Sequence, residues 1–229
     1  SAGAGKFARS AVGTVAFGAL SGGAGAELTG GNFWQGAVSG GIVAGLNHVL
    51  HDHQNKALIS KLKKEIKSLG AFSGDNSARL KRIQSLDTFK KLQKRAGGKV
   101  DVRYVYTETG LGSNGAEAFY TTNKNMAGER YTGSDGGFIN VYPASFYNGW
   151  LGLSKNLVHE FGHAINRYIG GFAHNYSSNK NNWLVAIALD EVFAYDFQSA
   201  YGFSKFPLTT GFKQSLETLK NNNITINEK

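Results

Sequence analysis

The 229-residue sequence contains no cysteine, and its acidic residues are few. The absence of cysteine excludes a disulfide-stapled scaffold, thiolate metal ligands and a cysteine nucleophile. Sixteen Asp and Glu stand against 25 Lys and Arg, which gives a formal net charge of +9. The excess is confined to residues 51–99, where 13 basic residues accompany four acidic ones. Nucleic-acid binding is therefore not predicted for the protein as a whole, and only this segment could support it.

Composition divides the chain into three parts, which we predict to be a glycine-rich lead (1–50), a basic helical segment (51–98) and a larger domain (99–229). The lead holds 13 of the 31 glycines, and Leu28–Asn47 is an uncharged stretch of 20 residues. That length could cross a bilayer, but its glycine and polar content is typical of a spacer. A spacer and a membrane-contacting segment both remain possible for residues 1–50.

The pattern of apolar residues changes from helical to alternating after the basic segment. Apolar side chains recur at helical spacing before Gly70 and again after Ser77, and Asp87 is expected to cap a third short helix. Alternation then predicts three strands, and two long helical patterns follow. The predicted strands are 100–106, 117–122 and 136–143, and the predicted helices are 150–168 and 183–201, joined by a polar loop at 172–182. Asn181 or Asn182 of this loop is expected to cap the second helix. A sheet followed by helices predicts an α+β fold.

The first long helix carries the sequence His159-Glu160-Phe161-Gly162-His163. Residues four apart lie one turn apart on the same face of a helix, so both imidazoles can bind one divalent ion. The pattern H-E-x-x-H is that of a zinc site in which the glutamate is the general base. We therefore predict that His159 and His163 bind Zn²⁺ and that Glu160 takes a proton from the attacking water.

A catalytic zinc needs a third protein ligand, and the second long helix offers one. Glu191 lies in the middle of an apolar stripe, where an isolated buried charge would cost several kcal/mol. Sharing a cation with the two histidines would remove that cost, so Glu191 is the predicted ligand, with a salt bridge to a basic residue as its alternative. Asp190 either remains solvated or accepts the free N–H of a ligating imidazole.

These motifs resemble those of known families. His159-Glu160-x-x-His163 followed by Glu191-x-x-Ala194-Tyr195 resembles the gluzincin zinc metallopeptidases, in which a glutamate on a downstream helix completes the metal site. The segments at 32–37 and 39–48 resemble the glycine-rich region that precedes C-terminal toxin domains of bacterial polymorphic and Rhs-type toxins. Together the resemblances imply a zincin-like domain at 99–229 in a secreted effector, delivered into a target cell and paired with an immunity protein.

The predicted reaction is hydrolysis of a peptide bond in a target-cell protein. The metal and one side-chain donor, His174, Tyr176 or Tyr195, would stabilise the developing oxyanion, although each could equally be a loop or packing residue. The strand 138–142 is expected to offer an edge on which an extended peptide can add.

Three alternatives stay open from the sequence. The lead 1–50 could make the protein a membrane-active toxin, the metal site could hydrolyse a non-peptide substrate, and the basic segment could bind nucleic acid. Against the last of these, aromatic residues for base stacking are nearly absent from residues 51–98.

Overall fold

The structure, a computed structural model, describes residues 53–112, 115–122, 136–179, 182–203 and 210–224. The chain divides into two compact units, Ser1–Ala57 and Leu58–Lys229, and the second contains every element that carries the predicted site. The glycine-rich lead, with its spacer and membrane alternatives, lies outside the described residues. None of the helices in the described ranges is long and apolar enough to cross a bilayer.

Three helices occupy the basic segment: α1 (His53–Ser68), α2 (Asn76–Gln84) and α3 (Asp87–Arg95). Asp75 caps α2 by accepting a hydrogen bond from the Ala78 amide at 2.8 Å. The prediction that Asp87 caps α3 is wrong, because Leu86 occupies the cap position and makes no side-chain hydrogen bond there. The Asp87 carboxylate pairs instead with Lys61 of α1 and Lys91 of its own helix.

The sheet has three strands, β1 (Val100–Tyr104), β2 (Ala118–Thr122) and β3 (Gly137–Val141), in the order β1-β3-β2. The central strand β3 runs parallel to β1 and antiparallel to β2. The expectation that 138–142 forms an edge is therefore wrong, since both of its sides are paired. The edge strand next to the predicted site is β2.

Four helices and a 3-10 turn (Pro143–Phe146) make up the rest of the described fold: α4 (Gly149–Tyr168), α5 (Gly171–Ser178), α6 (Trp183–Ala200) and α7 (Thr210–Asn221). Asn182 caps α6 as expected, with its side chain accepting from the Val185 amide at 3.3 Å. The polar loop expected at 172–182 is largely the helix α5, which starts after Gly170 in the left-handed region at φ 82°. The described chain thus has an α+β fold.

The helices α4 and α6 approach each other closely at a glycine. A Cβ on Gly162 would lie 3.0 Å from the Cα of Ala194, closer than side-chain carbons normally approach a backbone atom. A side chain at position 162 would therefore push the two helices apart. This contact brings the H-E-x-x-H face of α4 against the middle of α6.

The basic segment from residue 58 onward packs on α4 and the sheet. Phe89 of α3 lies 6.5 Å from Phe161, centroid to centroid, and the Trp150 indole N–H donates to the Gly70 carbonyl at 2.9 Å. The Arg82 guanidinium lies over that indole, 4.9 Å from the ring centroid. Residues 58–98 therefore help to hold α4 in place within one compact unit.

Candidate metal centre

Three side chains from α4 and α6 converge at one point. The Nε2 atoms of His159 and His163 lie 3.3 Å apart. Glu191 Oε2 lies 3.5 Å from His159 Nε2, and the other carboxylate oxygen, Oε1, lies 3.6 Å from His163 Nε2. One ligand atom from each of the three residues can be chosen so that all three lie within 4.8 Å of one another.

These separations fit a tetrahedral metal site. Zinc bound by nitrogen and oxygen at about 2.0–2.2 Å with tetrahedral angles requires ligand atoms about 3.3 Å apart. The 3.3 Å between the two Nε2 atoms meets that requirement, and each Nε2 atom has a Glu191 oxygen 3.5–3.6 Å away. The donor set, two imidazoles and a carboxylate, also suits Zn²⁺, and three protein ligands are the number that leaves a coordination position open.

Asp190, the neighbour of Glu191, fixes the orientation of His163. Its carboxylate is 2% exposed and lies 3.0 Å from His163 Nδ1. Burial raises the pKa of the Asp190 carboxyl, but the charge of His163 and its hydrogen bond outweigh that effect, and the pKa is lowered overall. An ionised carboxylate only accepts hydrogen bonds, so Nδ1 carries a proton and Nε2 is the nitrogen left to bind a metal.

Two further residues of α4 hold Asp190 in place. Asn166 donates from Nδ2 to Asp190 Oδ1 at 2.6 Å, and Arg167 Nη2 lies 3.2 Å from Asp190 Oδ2. The Arg167 guanidinium also packs over the Phe172 ring, 4.1 Å from its centroid. Asp190 is therefore a buried, fully hydrogen-bonded carboxylate of the kind that supports a ligating histidine.

Glu160 is buried, lines the same cavity as the two histidines and reaches the edge strand β2. Its Oε2 accepts a hydrogen bond from the Tyr120 amide of β2 at 2.6 Å. Burial raises the pKa of the Glu160 carboxyl, and the neighbouring His159 and His163 only partly oppose this shift. A carboxyl with a raised pKa, held beside the ligand cluster, suits a general base that must later release its proton.

The ligand residues show the electrostatics of a cation site. Burial alone would lower the pKa of His163, but Asp190 and Glu191 raise it to about 9. Burial would raise the pKa of Glu191, yet the charges and hydrogen bonds of His163 and His159 lower it. The carboxylates therefore stabilise positive charge at this point, whether it belongs to a proton or to a metal ion.

The three predicted oxyanion donors have different positions. The Tyr195 ring packs against His159 with a centroid separation of 4.5 Å and lines the cavity, while also belonging to a hydrophobic cluster with Val192 and Leu219. His174 lies in α5, and its side chain is outside the described part of the chain. Tyr176, the third alternative, packs against Trp183 with the ring centroids 6.0 Å apart.

A cavity of about 740 Å³ opens over the ligand cluster. Its walls come from β2, from the face of α4 that carries the histidines, and from α6. Four residues of the cavity and of the network behind it were not predicted from the sequence: Lys155, Asn166, Arg167 and Tyr120. Lys155 and Arg167 could have been found, because they lie four residues before His159 and four after His163 on the same helical face. The contact of Tyr120 is made by its backbone and leaves no sequence signal.

The chain was compared with protein-family models, with curated proteins and with solved structures, and none of them matches it. Function is therefore inferred from the geometry and chemistry of the site itself.

Proposed function

We propose that the protein is a zinc-dependent metallopeptidase with a zincin-like catalytic domain at 99–229. The observation that supports this most strongly is the convergence of His159, His163 and Glu191, whose ligand atoms lie within 4.8 Å of one another. The adjacent general base Glu160 and the edge strand β2 complete the arrangement expected of a hydrolase acting on polypeptide. The resemblance of the lead to Rhs-type toxins extends the proposal to a secreted effector with a target-cell protein as substrate and an immunity protein as partner.

The side chains of this site have distinct tasks in the proposed reaction. His159, His163 and Glu191 would hold the zinc, which supplies a Lewis acid that polarises the scissile carbonyl and lowers the pKa of water. Glu160 accepts a proton from the attacking water and passes it to the leaving nitrogen. Asp190 keeps the His163 ring in its ligating orientation. Tyr195 and His174 are the candidate donors to the developing oxyanion.

The edge strand favours a polypeptide over a non-peptide substrate. The Tyr142 amide donates to the Glu117 carbonyl at 3.0 Å, so Glu117 turns its carbonyl group towards β3. Alternate residues of a strand direct their backbone N–H and C=O groups to opposite sides, so those of Ala118 and Tyr120 point away from β3 towards the cavity. The Tyr120 N–H is already bonded to Glu160, which leaves the Ala118 N–H and the carbonyl groups of Ala118 and Tyr120 for a ligand. Such an edge can pair with the backbone of an extended peptide.

The proposal is tested with the variant Glu160→Gln beside the wild type, both loaded with one equivalent of zinc. We expect the wild type to cleave an unfolded fluorescent protein substrate, and the variant to retain zinc while losing at least 100-fold in rate, the usual contribution of a general base. Growth of bacteria that express each protein in the cytoplasm tests the toxin role, with inhibition expected from the wild type only. A fully active Glu160→Gln variant would refute the mechanism.

A further inference from the structure

The cavity wall carries cations on both sides of the proposed metal position. Lys155, His159, His163 and Arg167 follow one another at four-residue intervals along α4, and all four line the cavity. Four residues of helix advance about 6 Å along its axis. Lys155 and Arg167 thus lie about one turn beyond the histidines, in opposite directions.

The two cations have different surroundings. Arg167 is paired with Asp190 at 3.2 Å, and its side chain is 12% exposed, so it belongs to the buried network behind His163. The half-buried Lys155 forms no ion pair with an acidic side chain in the part of the chain that the structure describes. The carboxylate of Glu117, on the same rim, accepts a hydrogen bond from Asn156 Nδ2 at 2.7 Å. Of the two cations, the Lys155 ammonium is therefore the one that a bound ligand can contact.

The direction of β2 shows which part of a peptide would reach Lys155. Glu117, before the start of β2, contacts Asn156, and Tyr120 farther along contacts Glu160, so β2 and α4 run in the same sense. A peptide that pairs antiparallel with β2, the more stable arrangement, would run with its carboxyl end towards Lys155.

The distance along α4 sets the residue concerned. The midpoint between His159 and His163 is six residues after Lys155, which is about 9 Å along the helix axis. An extended peptide covers about 3.3 Å per residue. Lys155 would therefore lie beside the second or third residue after the scissile bond.

We propose that Lys155 is a specificity-determining residue that selects substrates with Asp or Glu two or three residues to the carboxyl side of the scissile bond. This inference rests on the proposed peptidase function and names the class of substrate for that site. An ion pair of this kind, partly shielded from water, is expected to favour the acidic side chain about fivefold over its amide.

The test is the sequencing of cleavage products from a proteome-derived peptide library by mass spectrometry. The proteins compared are the zinc-loaded wild type, Lys155→Gln, Lys155→Glu and Lys63→Gln, the last being an exposed lysine of α1 outside the cavity. We expect about fivefold enrichment of acidic residues at the second or third position with the wild type and with Lys63→Gln. Lys155→Gln should lose the enrichment, and Lys155→Glu should replace it with a preference for Lys and Arg.

A binding measurement separates this inference from the peptidase proposal. The zinc-loaded Glu160→Gln variant, which should not hydrolyse peptides, is titrated with a fluorescent peptide from the library and with its Glu-to-Gln counterpart. Cleavage or binding without an acidic preference, or a preference that survives Lys155→Gln, would overturn the role of Lys155 and leave the peptidase standing. Neither cleavage nor binding of any peptide would overturn both.

Discussion

The substitution Asp190→Asn tests whether the buried network behind His163 supports the metal ligand. The Asp190 carboxylate accepts from His163 Nδ1 at 3.0 Å and from Asn166 at 2.6 Å, and it pairs with Arg167 at 3.2 Å. Asparagine has nearly the same shape but no charge, and its amide nitrogen cannot accept a hydrogen bond. The variant therefore removes one of the two acceptor oxygens and leaves Arg167 beside a neutral group.

The magnitude follows from these contacts. Loss of the hydrogen-bonding partner of a ligating histidine typically weakens metal binding about 10- to 100-fold, which is about 1.4–2.7 kcal/mol. Removal of one partner of a buried ion pair costs about 3–5 kcal/mol, and the retained acceptor oxygen of asparagine places the loss of stability near the lower value. Both effects should appear together, because one side chain serves the ligand and the fold.

Zinc affinity is measured by competition with a chromophoric chelator at a temperature where circular dichroism shows both proteins folded. The stability of the metal-free proteins is measured by urea unfolding. Asp101→Asn, an exposed position on β1, is the control for the same chemical change away from the site. Wild-type zinc affinity in folded Asp190→Asn would refute the supporting role that we assign to this carboxylate.

Three further predictions concern the same two helices. Gly162→Ala should lower the free energy of unfolding by about 1–3 kcal/mol and weaken zinc binding, since the new methyl would press on Ala194; unchanged chelator titrations would contradict this. Glu191→Gln should retain the fold but lose most zinc on dialysis, and full retention would move the third ligand elsewhere. The metal-free protein should lose up to about 3 kcal/mol of stability between about pH 6.5 and pH 9, because protonated His163, with its pKa raised to about 9, stabilises the folded state only below that range; a flat profile in urea unfolding would refute it.

Local sequence patterns predicted the elements that local interactions determine. The four-residue spacing of His159 and His163 requires only a helix, and α4 provides it over Gly149–Tyr168. The cap at Asn182 depends on one side chain and one amide nearby, and it was predicted correctly. Glu191 could be assigned because a carboxylate in an apolar stripe needs a partner, and the structure brings it to the histidines.

Features that depend on contacts between distant parts of the chain could not be predicted from local sequence patterns. The central position of β3 depends on its pairing with β1, some 37 residues earlier, and no residue pattern within 137–141 indicates that pairing. The helix α5 has no clear apolar stripe and is held by Phe172 packed against Trp183 of α6. The burial of Asp190 likewise depends on Asn166 and Arg167, which reach it from another helix.

Elemental analysis after zinc loading and dialysis tests whether two helices of this chain form one zinc site. We expect about one zinc per chain for the wild type and essentially none for folded His163→Ala, because that variant loses a ligand of the cluster. A zinc-free wild type, or equal zinc in both proteins, would contradict this expectation.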